Sequence, residues 1–158
     1  MSAEPRSNRS PRAETDVSLG LLPTLLGYQL RRAQLAVFQN FAEVVGASEL
    51  TPGQFGVLAV IDANPGLSQT QLGGALGIDR STVVAVIDRL EQRRLVLRHA
   101  SPHDRRSHAL HLSAEGKATL TRLIERVHVH EQAITRDLTE SERAQLMALL
   151  QRVAREQI

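Results

Sequence analysis

The sequence predicts a mainly helical chain carrying one two-stranded β-hairpin, in the order α–α–α–α–β–β–α–α. Three observations predict it. Apolar residues recur at steps of three and four through most of the 158 residues. Four stretches open with helix-capping residues. Residues 95–112 switch to an alternating, β-rich composition around a polar turn holding Asp104, Arg105 and Arg106.

Residues 1–16 are polar, hold two prolines and show no hydrophobic period, so they read as a disordered tail. Arg6, Arg9 and Arg12 are offset there by three acids, which favours a solvated tail over an arm that sweeps a groove. From Leu19, apolar residues at 19, 22, 26, 30, 33, 37, 41 and 44 predict one long amphipathic helix to about Val45. Pro23 either starts it or kinks it near its beginning, and Gly46 is a plausible stop. Thr51-Pro-Gly-Gln54, Ser68-Gln-Thr-Gln71 and Thr139-Glu-Ser-Glu142 are capping boxes, and Asp79 is an N-cap without the Glu or Gln partner. They place helices at about 52–63, 69–76, 80–93 and 140–155. Gly77 allows the sharp turn between the third and fourth. Strands follow at 95–100 and 108–112. A further helix runs from Ala114 to about Asp137, with Leu120, Leu123, Ile124, Val127 and Ile134 on its buried stripe.

Composition narrows what such a chain does. Aromatics make up 3%, so the core is built of Leu, Val, Ala and Ile. The net charge is only +2, too small for an indiscriminate polyanion binder. Residues 79–106, however, carry seven arginines against four acids, a local excess suited to phosphate. The absence of cysteine excludes disulfides, thiolate zinc sites and cysteine redox sensing. No stretch has the length of a membrane span and no signal-peptide pattern appears, so no membrane partner and a cytoplasmic location are expected. Glycine-rich phosphate loops, G-x-S-x-G and paired catalytic carboxylates are missing; an enzyme is not expected, nor is a cofactor.

A helix opened by Asp79-Arg80-Ser81-Thr82, followed by a hairpin with arginines at its tip, is a winged helix-turn-helix. The helix is sized for the DNA major groove and the arginine tip for the adjacent minor groove. The expected organisation is a tail at 1–16, a DNA-binding domain at 51–113, and a helical dimerisation domain formed by 17–50 and 114–158. The flanking helices have no sufficient partner within one chain. Their stripes (Leu26, Leu30 and Val37; Leu146, Leu149, Leu150 and Val153) are most simply buried in a two-fold homodimer.

At these residues the chain resembles the MarR family of bacterial transcription regulators. Asp104-Arg-Arg-Ser107 followed by Leu110-His-Leu-Ser-Ala-Glu-Gly116 is similar to the family's wing signature, D-R-R, a strand, then L-T-x-x-G, with Ser113 in place of Thr. Thr51-Pro-Gly-Gln-Phe55, Asp79-Arg-Ser-Thr82 and Asp88-Arg-Leu-Glu91 add to the resemblance, which covers roughly 19–155. It implies a repressor of a pseudo-palindromic operator, released by a small effector bound between the dimer helices and the DNA reader. It also implies that Arg106 enters the minor groove.

Arg80, Ser81 and Thr82, with Ala85 and Val86 beyond them, are expected to face the major groove. The competing role for Ser81 and Thr82 is support of the helix cap. Arg105 is expected at the DNA backbone, and Asp104 to orient an arginine, since phosphate repels a carboxylate. Arg89 suits an ion pair or a phosphate. Tyr28 and Arg32, four residues apart, together with Phe38, Phe41 and Phe55, offer aromatic walls and a cation. That chemistry fits an aromatic or acidic effector, free or as a thioester, though the three phenylalanines suit a core better than a pocket wall. Of the histidines, His128 and His130 point apart on a helix and His108 and His111 face opposite sides of a strand, so no metal site is expected. The alternative to a DNA reader is a winged-helix module for protein–protein contact.

Overall fold

The computed structural model describes residues 17–46, 50–100 and 108–154. Contacts divide them into two units, with the boundary between Gln34 and Leu35. A 3-10 turn, Leu22–Thr24, precedes helix α1, Leu26–Phe41, whose residues from Leu35 onward belong to the second unit. Leu25 between them is extended (φ −90°, ψ 127°), and its N–H closes the turn on the Leu22 carbonyl at 3.0 Å. The single helix expected from Leu19 to Val45 is therefore shortened at both ends. Pro23 opens a separate short turn because it brings a fixed φ and no N–H. At the far end the backbone widens into a π-helical turn, Ala42–Gly46, and Gly46 leaves it at φ 97°. Within one chain Leu19, Leu22 and Leu26 are exposed, and Phe41 is the buried residue of α1.

The second unit holds α2 (Pro52–Ala63), α3 (Gln69–Leu76), α4 (Arg80–Gln92), β1 (Val96–Ala100), β2 (His108–Leu112), α5 (Ala114–Thr135) and α6 (Glu140–Ala154). The capping residues set the starts. Thr51 Oγ1 accepts from the Gln54 N–H at 3.2 Å while the Thr51 N–H donates to Gln54 Oε1 at 3.1 Å. Ser68 and Gln71 repeat the exchange at 3.2 and 2.8 Å, and Thr139 with Glu142 at 3.3 and 2.8 Å. Each box satisfies two groups that a helix start leaves open, which is why these local signals predict the boundaries closely.

Helices α3 and α4 are joined by a tight turn. Gly77 is left-handed (φ 63°, ψ 34°), and the Ile78 N–H returns to the Gly73 carbonyl at 3.0 Å. A Cβ on Gly73 would lie 3.0 Å from the Ile78 oxygen and 3.2 Å from Val83 Cγ2, so the small residue there permits the close crossing. At its other end α4 stops on Arg94, also left-handed (φ 59°), with Leu95 N–H bonded to the Leu90 carbonyl at 2.9 Å. This turn aims the chain directly into β1.

The hairpin is antiparallel, with Val96 opposite Leu112 and Arg98 opposite Leu110. Gly66 N–H donates to the Leu110 carbonyl (2.8 Å) and Leu110 N–H to the Leu67 carbonyl (2.9 Å), so β2 is also bonded to the α2–α3 connection. The core gathers Leu58, Ile61, Leu72, Val83, Ile87, Leu90, Val96, Leu110 and Leu123, all buried. On α5, Leu120 and Leu123 join it as expected, but Ile124 is 41% exposed. The buried side of α5 runs through Gly116, Thr119, Leu120, Leu123 and His130, and position 124 falls just off that line. None of the residues of α6 is buried. No helix among the described residues is long and apolar enough to cross a membrane.

Candidate nucleic-acid interface

Helix α4 buries one side and offers another. Val83, Ile87 and Leu90 point into the core, while Arg80, Ser81, Thr82, Ala85 and Arg89 are exposed. Positions 81, 85 and 89 are spaced four apart and form a row along the open face. Val86, expected on this face, instead packs partly against the core. The structure thus brings Ser81, Thr82 and Arg89 onto one accessible helix surface, with Arg80 exposed to one side of it at the helix start. Asp104, Arg105 and Arg106, expected at the wing tip, lie outside the described residues, as do His103 and the N-terminal arginines.

Asp79 organises the start of this surface. Its carboxylate accepts from the Thr82 N–H at 2.9 Å and the Thr82 hydroxyl at 2.6 Å, and also from the Ser81 hydroxyl. The Ser81 hydroxyl foremost, then the Thr82 hydroxyl and N–H, hold the Asp79 carboxyl well below the usual carboxylate range. Both roles weighed for Ser81 and Thr82 meet here. Their hydrogens are engaged in the cap, and their oxygens keep free lone pairs. In that state they accept rather than donate. On a duplex the complementary donors are the exocyclic amino groups of adenine and cytosine, not phosphate oxygens.

Arg98, present in the sequence reading only as one of seven charges, is tied to this helix. Its guanidinium donates to Asp88 at 2.5 Å and Glu91 at 2.6 Å. The available signal was strand alternation, which puts Arg98 on the same side as the buried Val96. His130 was likewise missed. It is buried, its Nδ1 lies 2.7 Å from Asn40 Oδ1, and its ring meets Phe41 edge-on at 5.4 Å. Its place on the line through 120, 123 and 127 was the signal.

The residues expected to bind an effector are differently placed. Tyr28 is half-buried and Arg32 exposed on α1. Phe41 is buried and Phe55 packs against the core, their ring centroids 6.4 Å apart, which is the core role weighed for them. Phe38, for which a core role was also weighed, is 48% exposed. A shallow depression of about 450 Å³ opens instead among Val60, Asn64, Gly66, Leu67, Gln71 and Ala75. His99 and His111 share one face of the hairpin with centroids 5.1 Å apart, but no group of three His, Cys, Asp or Glu among the described residues is placed to hold a metal.

Comparison with known proteins agrees with this architecture. The model of the MarR family matches residues 48–107, spanning the helix-turn-helix and the first strand of the hairpin. A candidate transcriptional regulatory protein for the hcr operon of Thauera aromatica is 39% identical over 155 residues, covering 96% of this chain and 93% of that protein. The transcriptional repressor CouR, solved bound to a 23-mer DNA duplex, superposes with a TM-score of 0.82 at 45% identity, covering 89% of this chain and 99% of CouR. CouR bound to p-coumaroyl-CoA gives the same TM-score at 44% identity, with the same coverage. The relatives are transcription regulators and not enzymes. The chain, with its helix-turn-helix and two-stranded wing, belongs to the MarR family of DNA-binding transcription regulators.

Proposed function

We propose that the protein is a cytoplasmic, homodimeric repressor that reads a pseudo-palindromic operator and leaves it when a small aromatic or acidic effector binds. The observation that carries this reading is the open side of α4, where Arg80, Ser81 and Thr82 stand exposed at the end nearest the Asp79 cap and Arg89 stands exposed two turns further along. Such a helix start presents short polar side chains to base edges, and arginines beside it hold phosphates. Residues 51–113 form the reader in this assignment. Arg106 enters the minor groove, Arg105 meets the backbone and Asp104 orients an arginine. That CouR is a repressor solved on DNA supports the assignment.

Dimerisation through residues 17–50 and 114–158 is supported by the apolar residues that one chain leaves exposed. Leu146, Met147, Leu149, Leu150 and Val153 line α6, and Leu22, Leu25 and Leu26 lie in and around the start of α1. An apolar set of that size calls for a partner surface. A two-fold pair then sets the two α4 helices against half-sites one helical turn apart, roughly 34–36 Å.

The effector reading assigns Tyr28, Arg32 and Phe38 to recognition of an aromatic acid or its thioester and leaves Phe41 and Phe55 their core role. CouR's complex with an aryl thioester supports that class. Such an effector must favour the non-binding dimer, and DNA must weaken it by the same factor. Footprinting the DNA around the protein's own gene, with and without aromatic acids and their coenzyme A thioesters, tests both halves. The expected result is protection of an inverted repeat that one of these compounds abolishes. No protected site, or protection of asymmetric DNA by a monomer, refutes the reading.

A further inference from the structure

We infer that Arg98 is a positioning residue for DNA binding: by holding β1 against α4 and α3 it makes the recognition helix and the wing act as one rigid reader. The inference rests on the reading of these two elements as the DNA-facing parts.

Arg98 lies in the middle of β1, opposite the buried Leu110. Alternation along the strand sends its side chain to the side of Val96 and the helices, and that side chain is only 20% exposed. There it meets three partners. Nη2 donates to Asp88 Oδ1 at 2.5 Å and Nη1 to Glu91 Oε2 at 2.6 Å. The Gln69 amide, with its oxygen toward the guanidinium, accepts from Nε at 3.1 Å and from Nη2 at 3.3 Å. Asp88 and Glu91 are one turn apart on α4, and Gln69 is the first residue of α3. One planar group therefore joins the wing to both helices of the helix-turn-helix. A lysine ammonium cannot reproduce this, because the three acceptors are met by a fixed fork of N–H groups.

One consequence follows for a protein that grips two grooves at once. A helix and a wing that are rigidly linked bind as one unit, since the first contact delivers the second at high effective concentration; a wing free to pivot loses that advantage. Arg98 touches no DNA in this account and acts through the wing.

A double-mutant cycle on the full-length protein separates this role from a merely structural one. The probe is the duplex protected in the footprint, and the variants are R98Q, R98K, R106A and R98Q/R106A, each checked for folding by thermal unfolding. R98Q is expected to weaken binding about tenfold in an otherwise unchanged protein, and by less than about twofold once R106A has removed the wing contact. R98K is expected to behave like R98Q. Equal losses from R98Q in both backgrounds overturn the inference, as does wild-type binding by R98K or R98Q. An R106A variant that binds normally overturns it too, because no wing contact is then being held in place. Should R98Q not fold, D88N/E91Q removes the same acceptors' charge and is put through the same cycle. Failure of the wild-type protein to prefer the footprinted duplex over a scrambled one sinks the DNA reading itself. Normal wild-type binding with an additive cycle sinks only the role of Arg98.

Discussion

Replacing Gly116 with alanine sets two effects of opposite sign against each other, and the structure decides between them. Gly116 lies in the first turn of α5, where alanine is intrinsically the better helix former by about 1 kcal/mol. Yet a Cβ at this position would stand 2.0 Å from the Leu95 carbonyl oxygen and 3.0 Å from its carbon, where ordinary contact begins near 3.4 Å. The obstacle is backbone and cannot swing aside. It is also pinned: the Leu95 oxygen accepts from the Ser113 N–H at 3.0 Å, Leu95 N–H donates to Leu90, and the Ser113 hydroxyl donates to the neighbouring Arg94 carbonyl at 2.6 Å. Moving α5 away by more than 1 Å strains this junction, an overpacking penalty of about 1–3 kcal/mol. It also breaks one or two hydrogen bonds worth roughly 1 kcal/mol each. Against the propensity gain, G116A is expected to lose about 2–3 kcal/mol. Urea unfolding at fixed protein concentration measures it, since a dimer's stability depends on concentration. Thermally the loss corresponds to a fall of roughly 5–10 °C. A variant as stable as wild type, or more so, would refute the close-approach argument and with it the account of this glycine in the wing signature.

Other changes test other parts of the structure. Arg94 sits in a left-handed conformation that favours glycine, so R94G is expected to gain about 1 kcal/mol in the same unfolding assay; a loss would show that the arginine side chain contributes more than its backbone strain. The Asp79 carboxyl has its ionised form favoured by folding, so its contribution is whole above the unfolded value near pH 3.9 and is lost as pH falls below it. Asparagine still caps but does not ionise, so the stability difference between wild type and D79N should shrink on acidification towards pH 3, and a constant difference would contradict the assignment. On α6, L150E places a charge in the exposed apolar set proposed to pair two chains. Sedimentation should show a monomer where the wild-type protein is a dimer, and an unchanged dimer would move the interface elsewhere.

The parts of this fold that were legible in the sequence are those fixed locally. Thr51 with Gln54 and Ser68 with Gln71 announce their helices because a cap and its partner lie three residues apart. The hairpin was legible from alternation and the helix-turn-helix from Gly77. What the periodicity concealed was the extended Leu25, where a proline-led turn interrupts an otherwise helical spacing. It also misplaced Ile124, because a long helix touching a small core buries a narrower side than its apolar residues suggest. At the candidate site, α4 was readable as a whole, but the links that hold it were not. Arg98 reaches carboxylates seven and ten residues away, and Gly116 is constrained by a carbonyl on a distant turn. The pairing of His130 with Asn40 spans 90 residues. Contacts of that kind come from the topology and leave only faint marks on local pattern.

The most direct test is the affinity of the full-length protein for its footprinted site and for a scrambled duplex of equal length, measured by fluorescence anisotropy from roughly 50 to 200 mM salt. The account predicts a preference for the site of about a thousandfold or more at the higher salt, with the logarithm of each affinity falling linearly against that of salt. Equal affinity for the two duplexes, or no binding to either, would contradict it.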